Sequence, residues 1–139
     1  MANTSSTQRD VFIEKATELA ERTFWGHVGC EMIELEERHV TVELDVKSHH
    51  LNLIGILHGG VHATMLDSAM GILAMASNPE DKMVTTNLNI HYLAPAKEEK
   101  VRVQAKIIHE SNSMMTTEGT LLNEAGELCA FATATFRRS

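Results

Sequence analysis

The chain has 139 residues with a formal charge of −7 at pH 7, and 43% of its residues are hydrophobic while 22% are charged. This length is typical of a single domain, and the composition is that of an ordinary globular protein rather than a disordered or fibrous one. The net negative charge repels nucleic acid, and no basic cluster longer than Arg137-Arg138 offsets it, so nucleic-acid binding is not expected.

The N-terminal segment predicts a tail followed by a surface helix. Residues 1–7 are expected to form a flexible tail, and apolar residues at helical spacing from Gln8 to Thr23 indicate an amphipathic helix. Phe24-Trp25 is expected to cap that helix by packing. The start MANTSSTQRD lacks the basic-then-apolar pattern of a secretory signal, and Cys30 and Cys129 lack metal-knuckle spacing. We therefore expect a cytoplasmic protein with reduced thiols.

A hairpin and a buried helix come next. The run GCEMIELEERHVTVELDVK alternates between apolar and polar residues, which predicts two strands joined by a tight turn near Glu37 to His39. From Leu57 to Ser77 only Asp67 carries a formal charge, and Asn78-Pro79 ends the segment. Insertion into a membrane is costly for a segment that holds two histidines, three glycines and an aspartate. The pattern favours a central buried helix and no membrane association.

Four more strands are predicted beyond this helix, from the runs MVTTNLNIHYLAPA, KVRVQAKIIHES, SMMTTEGTLL and ELCAFATATF. In the first run a period of two places Val84, Thr86, Leu88, Ile90 and Tyr92 on one face and Thr85, Asn87, Asn89 and His91 on the other. The order of elements predicts a single α+β domain over residues 1–139. Its curved antiparallel sheet of about six strands wraps around the long helix.

The single carboxylate in the most hydrophobic segment suggests chemistry. At ~100° per residue, Asp67 and Gly60 lie on nearly one face, and the unpaired N–H groups around Gly59 and Gly60 can hold a developing oxyanion. An acid beside an oxyanion cradle suits acyl transfer or hydration. A purely structural, hydrogen-bonded aspartate beside a close-packed glycine pair is the alternative. His58 and His62 share one face but no glutamate follows the first histidine, so no metal site is expected.

A longer motif contains this acid. Asn52, Gly55, His58-Gly59-Gly60 and Asp67, followed by NLNIHYLAPA, resemble the hotdog-fold acyl-CoA thioesterases of the phenylacetate-degradation type, and the similarity spans about residues 29–136. The resemblance implies a hotdog fold, with the helix as the sausage and the sheet as the bun. It also implies hydrolysis of an acyl-CoA or aryl-CoA thioester without a cofactor. Homodimers, often paired into homotetramers, with sites at the subunit interface are implied as well.

The same resemblance assigns catalytic roles. Asp67 corresponds to the carboxylate that acts as general base or nucleophile, and Asn52 to the asparagine that positions water or substrate. Gly59 corresponds to the residue whose backbone N–H polarises the thioester carbonyl, with His58 supporting its loop. Thr85 stands where the family often has a serine that helps to place the water. Asn52 and Gly59 are implied to face Asp67 and Thr85 of a neighbouring subunit.

Further substrate contacts are expected from Gly60, Ser68, His91, Ser111 and Asn112. Ser111 and Asn112 depart from the family, which usually offers a glycine followed by lysine or arginine near the coenzyme phosphates. The candidate substitutes for that cation are Lys97, Arg102, Arg137 and Arg138.

Two alternative functions stay open. A hotdog enoyl-CoA hydratase or dehydratase needs a histidine and an acid facing one substrate carbon. Because His58 points away from Asp67 on a helix, His49, His50 or His91 has to supply that group. The second alternative is a non-catalytic acyl-CoA-binding subunit, in which Asp67 is only structural.

Overall fold

A computed structural model of the protein describes residues 6–139 as one antiparallel sheet curved around a long helix. Its helices are α1 (Ser6–Ala20), α2 (Phe24–Val28) and α3 (Gly59–Ser77), and its strands are β1 (Glu31–Leu35), β2 (His39–Asp45), β3 (Met83–Tyr92), β4 (Lys100–Glu110), β5 (Met114–Leu122) and β6 (Leu128–Arg138). The six strands follow the order β1-β2-β4-β5-β6-β3, and every pair is antiparallel. The predicted hairpin and four later strands are confirmed.

Helix α3 packs on the inner face of the sheet because both surfaces are apolar. Strands β2 and β4 alternate between buried and exposed residues, so that one face of each turns towards the helix. The buried residues of α3 include Met65, Leu66, Met70 and Leu73, and each such side chain contributes roughly 1.5–3 kcal/mol when fully buried. A Cβ on Gly119 in β5 would lie 3.1 Å from Leu66 Cδ2, so glycine permits the close approach.

Local interactions fix the bounds of α3. The helix begins two residues later than predicted, because His58 has an extended backbone (φ −61°, ψ 135°) and serves as the N-cap. It ends at Ser77 as predicted: the Asn78 side chain donates from Nδ2 to Ala74 O at 3.1 Å, and Pro79 follows. Among the described helices none is long and apolar enough to cross a membrane.

The N-terminal region differs from its prediction. Residues 1–5 of the expected tail lie outside the described residues, and α1 already begins at residue 6. Helix α1 ends at Ala20 rather than Thr23, because the Thr23 hydroxyl donates to Ala20 O at 2.8 Å and Thr23 is the N-cap of the short α2. Trp25 packs against the core as expected, whereas Phe24 is exposed.

Strand β3 lies at an edge of the sheet and contains a β-bulge. Thr85 pairs with Phe136 and Asn87 with Thr135, so Thr86 is an extra residue in the ladder. Directly opposed residues share a face, and Phe136 is buried, so Thr85 points to the helix side. The strict alternation that put Thr85 on the same face as Asn87 is therefore wrong at this position.

Candidate active site

Asp67 and Thr85 form the first half of a candidate active site. Asp67 is half-buried in the middle of α3, and the Thr85 hydroxyl donates to its Oδ1 at 2.9 Å. No donor to Oδ2 is seen within residues 6–139. The bulge in β3 makes the contact possible, since it turns Thr85 towards the helix. One carboxylate oxygen is thus held in place while the other stays available.

An apolar groove of about 1200 Å³ opens beside this pair, between α1 and α3. Asp67, Ser68 and Thr85 line it together with apolar side chains: Val11, Phe12, Leu19, Trp25, Met32, Ile72, Met75, Met83 and Phe136. A carboxylate at the wall of an apolar groove suits a ligand with an apolar body and a reactive polar group. The groove can accept an acyl or aryl group.

The N-terminus of α3 forms the second half of the site. His58 Nδ1 accepts the Gly60 N–H at 2.7 Å, so the expectation that this N–H is free is wrong. A Cβ on Gly60 would lie 2.9 Å from the same Nδ1, which is why the capped turn requires glycine. No acceptor for the Gly59 N–H is seen in the part of the chain that the structure describes. Gly59 therefore provides the donor that the first turn can offer to an oxyanion.

Asn52 braces the loop that precedes α3. Its Oδ1 accepts the N–H groups of Ile54 at 3.1 Å and of Ile56 at 3.2 Å. Gly55 makes the turn between them with a φ of +80°, a conformation that favours glycine. With its carbonyl oxygen engaged in this way, Asn52 has its Nδ2 amide left to donate to a water or a substrate.

The two halves are separate in one chain. Asn52, Gly59 and Gly60 line a second cavity of about 620 Å³, which shares no lining residue with the groove at Asp67 and Thr85. A single chain thus holds the Asp67 carboxylate at one cavity and the Gly59 N–H at the other.

Three predicted substrate contacts lie outside both cavities. His91 stacks on Phe131 with ring centroids 6.4 Å apart. Ser111 and Asn112 form the turn between β4 and β5, and their carbonyl groups accept hydrogen bonds from the Arg138 guanidinium. Their predicted substrate contacts stay predictions, since neither cavity includes them.

Two of the candidate cations for the coenzyme phosphates are already engaged. Arg102 Nε donates to Glu43 at 2.9 Å, and Arg138 Nε donates to Asp81 at 3.0 Å. Lys97 and Arg137 form no side-chain ion pair among the described residues. The remaining candidates for a phosphate contact are therefore Lys97 and Arg137.

None of the histidines that the structure describes lines the groove at Asp67. His50 is buried, and its ring accepts the Lys47 N–H at Nδ1 and contacts Val28 O through Nε2 at 2.6 Å, so both nitrogens are engaged. His49 is exposed and packs on His50. No group of three metal-ligating side chains occurs among residues 6–139. Within one chain, the hydratase alternative therefore has no histidine in the groove that contains Asp67.

Cysteine is a poor nucleophile here. Both Cys30 and Cys129 are free and buried. Burial raises the pKa of the Cys30 thiol to about 11 and also raises the pKa of Cys129, so both stay protonated at neutral pH.

The sequence did not predict that His62 and Tyr92 lie at the second cavity, beside Gly59. His62 was considered only as a metal ligand, yet its side chain is 3% exposed and lines the second cavity with Tyr92. Its Nδ1 has no hydrogen-bond partner among the described residues. Burial lowers the pKa of His62, which favours the neutral ring.

Acidification is expected to destabilise the protein through His62. The unfolded chain takes up a proton near the ordinary pKa of 6.5, whereas the buried ring has a lower pKa. Between these two pKa values the unfolded state binds more protons than the folded state, so the free energy of unfolding decreases as the pH decreases. Well above pH 6.5 the ring is neutral in both states, and this loss of stability is absent. Between pH 7.5 and about pH 5.5 the urea midpoint of wild type should therefore fall further than that of His62→Phe, whatever the difference between the two proteins at pH 7.5.

Exposed His109 offers a matched control. His109→Phe should keep the wild-type dependence of the urea midpoint on pH. Equal pH dependence for wild type and His62→Phe would contradict the assignment to His62.

Known proteins resemble this chain in sequence and in fold. Residues 54–130 match a family model described as Thioesterase superfamily. The chain is 32% identical to human acyl-coenzyme A thioesterase 13 over 93 residues. These aligned residues make up 66% of this chain and 66% of that protein. The E. coli PaaI protein from the phenylacetic acid degradation operon matches with a TM-score of 0.85 and 17% identity over 96% of this chain and 95% of that one.

A second structure holds a ligand. The protein smu.793 from Streptococcus mutans, bound to acetyl CoA, matches with a TM-score of 0.75 and 25% identity over 80% of this chain and 89% of that one. The fold shared with these proteins confirms the predicted hotdog architecture.

Proposed function

The chain belongs to the thioesterase superfamily and is a thioester hydrolase, and on this basis we propose that its substrates are acyl-CoA or aryl-CoA thioesters. The observation that carries the proposal is Asp67, held by Thr85 at the wall of an apolar groove. A relative named as an acyl-coenzyme A thioesterase and a structural neighbour bound to acetyl CoA support the coenzyme A ester.

The chemistry follows from the two half-sites. The Gly59 N–H donates to the thioester carbonyl oxygen, where negative charge develops as the carbon is attacked. Asp67 either takes a proton from the attacking water or attacks the carbon itself to form an anhydride that water then opens. The carbon–sulfur bond breaks, and the coenzyme leaves as its thiol after taking up a proton. Thr85 fixes one carboxylate oxygen, and the Asn52 amide orients the water.

A complete site is proposed to need two chains. The acid and the oxyanion donor line different cavities of one chain, so Asn52 and Gly59 of one chain are paired with Asp67 and Thr85 of a second copy. Strand β3 lies at an open edge of the sheet, where its unpaired backbone groups can meet another strand. This favours a two-fold dimer. Pairing of dimers into tetramers, a cytoplasmic location and the absence of a cofactor stay predictions.

Thiol release from a panel of coenzyme A esters tests the substrate class. Short, medium and aromatic acyl-CoA substrates are offered, and free coenzyme A is trapped with a chromogenic disulfide. We expect multiple turnovers for at least one ester, at a kcat on the order of 1–10³ s⁻¹.

An enoyl-CoA in the same panel separates the alternatives. Loss of its conjugated absorbance without thiol release would indicate a hydratase. Tight binding of esters with neither signal would indicate a non-catalytic binding subunit. Either result would contradict the proposed hydrolysis.

A further inference from the structure

Tyr92, at the end of β3, lies over the first turn of α3. Its hydroxyl donates to Gly59 O at 2.9 Å. The ring atoms Cε1 and Cζ and the hydroxyl oxygen lie 3.4 Å from the position that a Cβ on Gly59 would take. The tyrosine therefore contacts Gly59 in two ways, through its hydroxyl and through its ring.

These contacts matter because Gly59 and Gly60 are adjacent and neither has a Cβ to restrict its backbone. An oxyanion donor stabilises a transition state only when its direction is fixed before the reaction. His58 Nδ1 holds the N–H of Gly60 at 2.7 Å, and the Tyr92 hydroxyl holds the carbonyl of Gly59 at 2.9 Å. Both hydrogen bonds act on the peptide unit that joins Gly59 to Gly60, so this unit is held at its C=O and at its N–H, directly beside the Gly59 N–H.

His62 lies on α3 about one turn after Gly59, and its ring packs against the ring of Tyr92. The two rings meet edge to face, with centroids 5.3 Å apart and an interplanar angle of 75°. The side chain of His62 is 3% exposed, and its Nδ1 has no partner among the described residues, so no hydrogen bond to that atom explains the placement of the ring. Its visible role is the contact with Tyr92.

We propose that Tyr92 is a positioning residue, which fixes the Gly59 backbone so that the N–H points at the thioester carbonyl, and that His62 holds the Tyr92 ring in place. The inference rests on the proposed function, because it gives Tyr92 a role only if Gly59 polarises a thioester. Strand β3 then orients both halves of the proposed site, since the Thr85 hydroxyl donates a hydrogen bond to Asp67 and the Tyr92 hydroxyl donates one to Gly59 O.

Tyr92→Phe removes the hydroxyl and keeps the ring. The charge on the carbonyl oxygen grows in the transition state, so we expect kcat to fall by about 5- to 50-fold while KM stays within about twofold. A spectroscopic signature accompanies the rate. A ketone analogue of the acyl-CoA, with a methylene group in place of sulfur, should show its carbonyl stretch at lower frequency when bound to wild type. In Tyr92→Phe this shift should shrink at unchanged affinity.

Thr117→Val is the matched control. The Thr117 hydroxyl also donates to a backbone carbonyl, that of Ala134 at 3.1 Å, but its strand β5 contributes no residue to either cavity. This variant should keep the wild-type kcat and the wild-type carbonyl shift. His62→Ala removes the ring that packs on Tyr92 and should lower kcat and the carbonyl shift, which tests the inference even if Tyr92→Phe does not fold. His62→Phe restores an aromatic ring at that position and should recover part of both losses relative to His62→Ala.

The outcomes separate the inference from the proposed function. If wild type hydrolyses coenzyme A esters while Tyr92→Phe and His62→Ala keep its kcat and carbonyl shift, the positioning role is wrong and the function stands. An equal loss in Thr117→Val would also overturn the inference, because the loss would then reflect general stability. If wild type releases no thiol, the proposed function fails and the inference fails with it.

Discussion

Asp67→Asn is expected to lower kcat for thioester hydrolysis by about 10²- to 10⁴-fold while the protein stays folded. The amide has nearly the same shape and can still accept the Thr85 hydroxyl at the position of Oδ1. It can neither take a proton from water nor attack the thioester carbon. Thiol release under saturating substrate measures kcat, and the urea midpoint measures the free energy of unfolding. A folded variant with wild-type turnover would contradict the catalytic role of Asp67.

Asp45→Asn controls for the loss of a negative charge. Asp45 is exposed on β2, contacts Lys100 at 3.8 Å and lines neither cavity. Its substitution should leave kcat unchanged, since an exposed ion pair of this kind contributes little to stability.

A single turnover of wild type in ¹⁸O-labelled water then separates the two roles of Asp67. Label appears in its carboxylate only if an anhydride forms.

The fold was accessible to sequence reasoning because its elements have strong periodic patterns. The alternation in β2 and β4 leaves one face of each strand buried, and α3 is apolar on nearly all sides. The end of α3 was also predictable, since Asn78-Pro79 stops a helix by local chemistry. The short α2 was not, because a helix of five residues carries too little pattern to be recognised.

The candidate site was only partly predictable. The spacing of the glycine motif placed Asp67, Gly59 and Asn52, but a period of two cannot reveal the single extra residue that turns Thr85 towards Asp67. The contact between Tyr92 and Gly59 joins residues 33 positions apart, and only the path of β3 along α3 brings them together. His58 capping Gly60 depends on side-chain rotation, which sequence spacing does not fix.

Mixtures of two inactive variants are expected to recover activity if each site is shared between chains. Asn52→Asp keeps an oxygen that accepts the loop N–H groups of Ile54 and Ile56 but loses the Nδ2 donor. Asp67→Asn removes the acid. In a hybrid dimer, one site combines both substitutions and the other has neither. Random pairing makes about half of the dimers hybrid, so about one quarter of wild-type activity should return, far above either variant alone.

Thr85→Ala mixed with Asp67→Asn tests the geometry of sharing. Because Thr85 and Asp67 are hydrogen-bonded within one chain, every site in that hybrid keeps one of the two substitutions. This mixture should show only the average activity of its components. If the mixture with Asn52→Asp recovers activity and the mixture with Thr85→Ala does not, each site combines Asp67 and Thr85 of one chain with Asn52 of the other. If neither mixture recovers activity after the subunits have exchanged, Asn52 and Asp67 act within the same chain, and the proposed two-chain site is wrong.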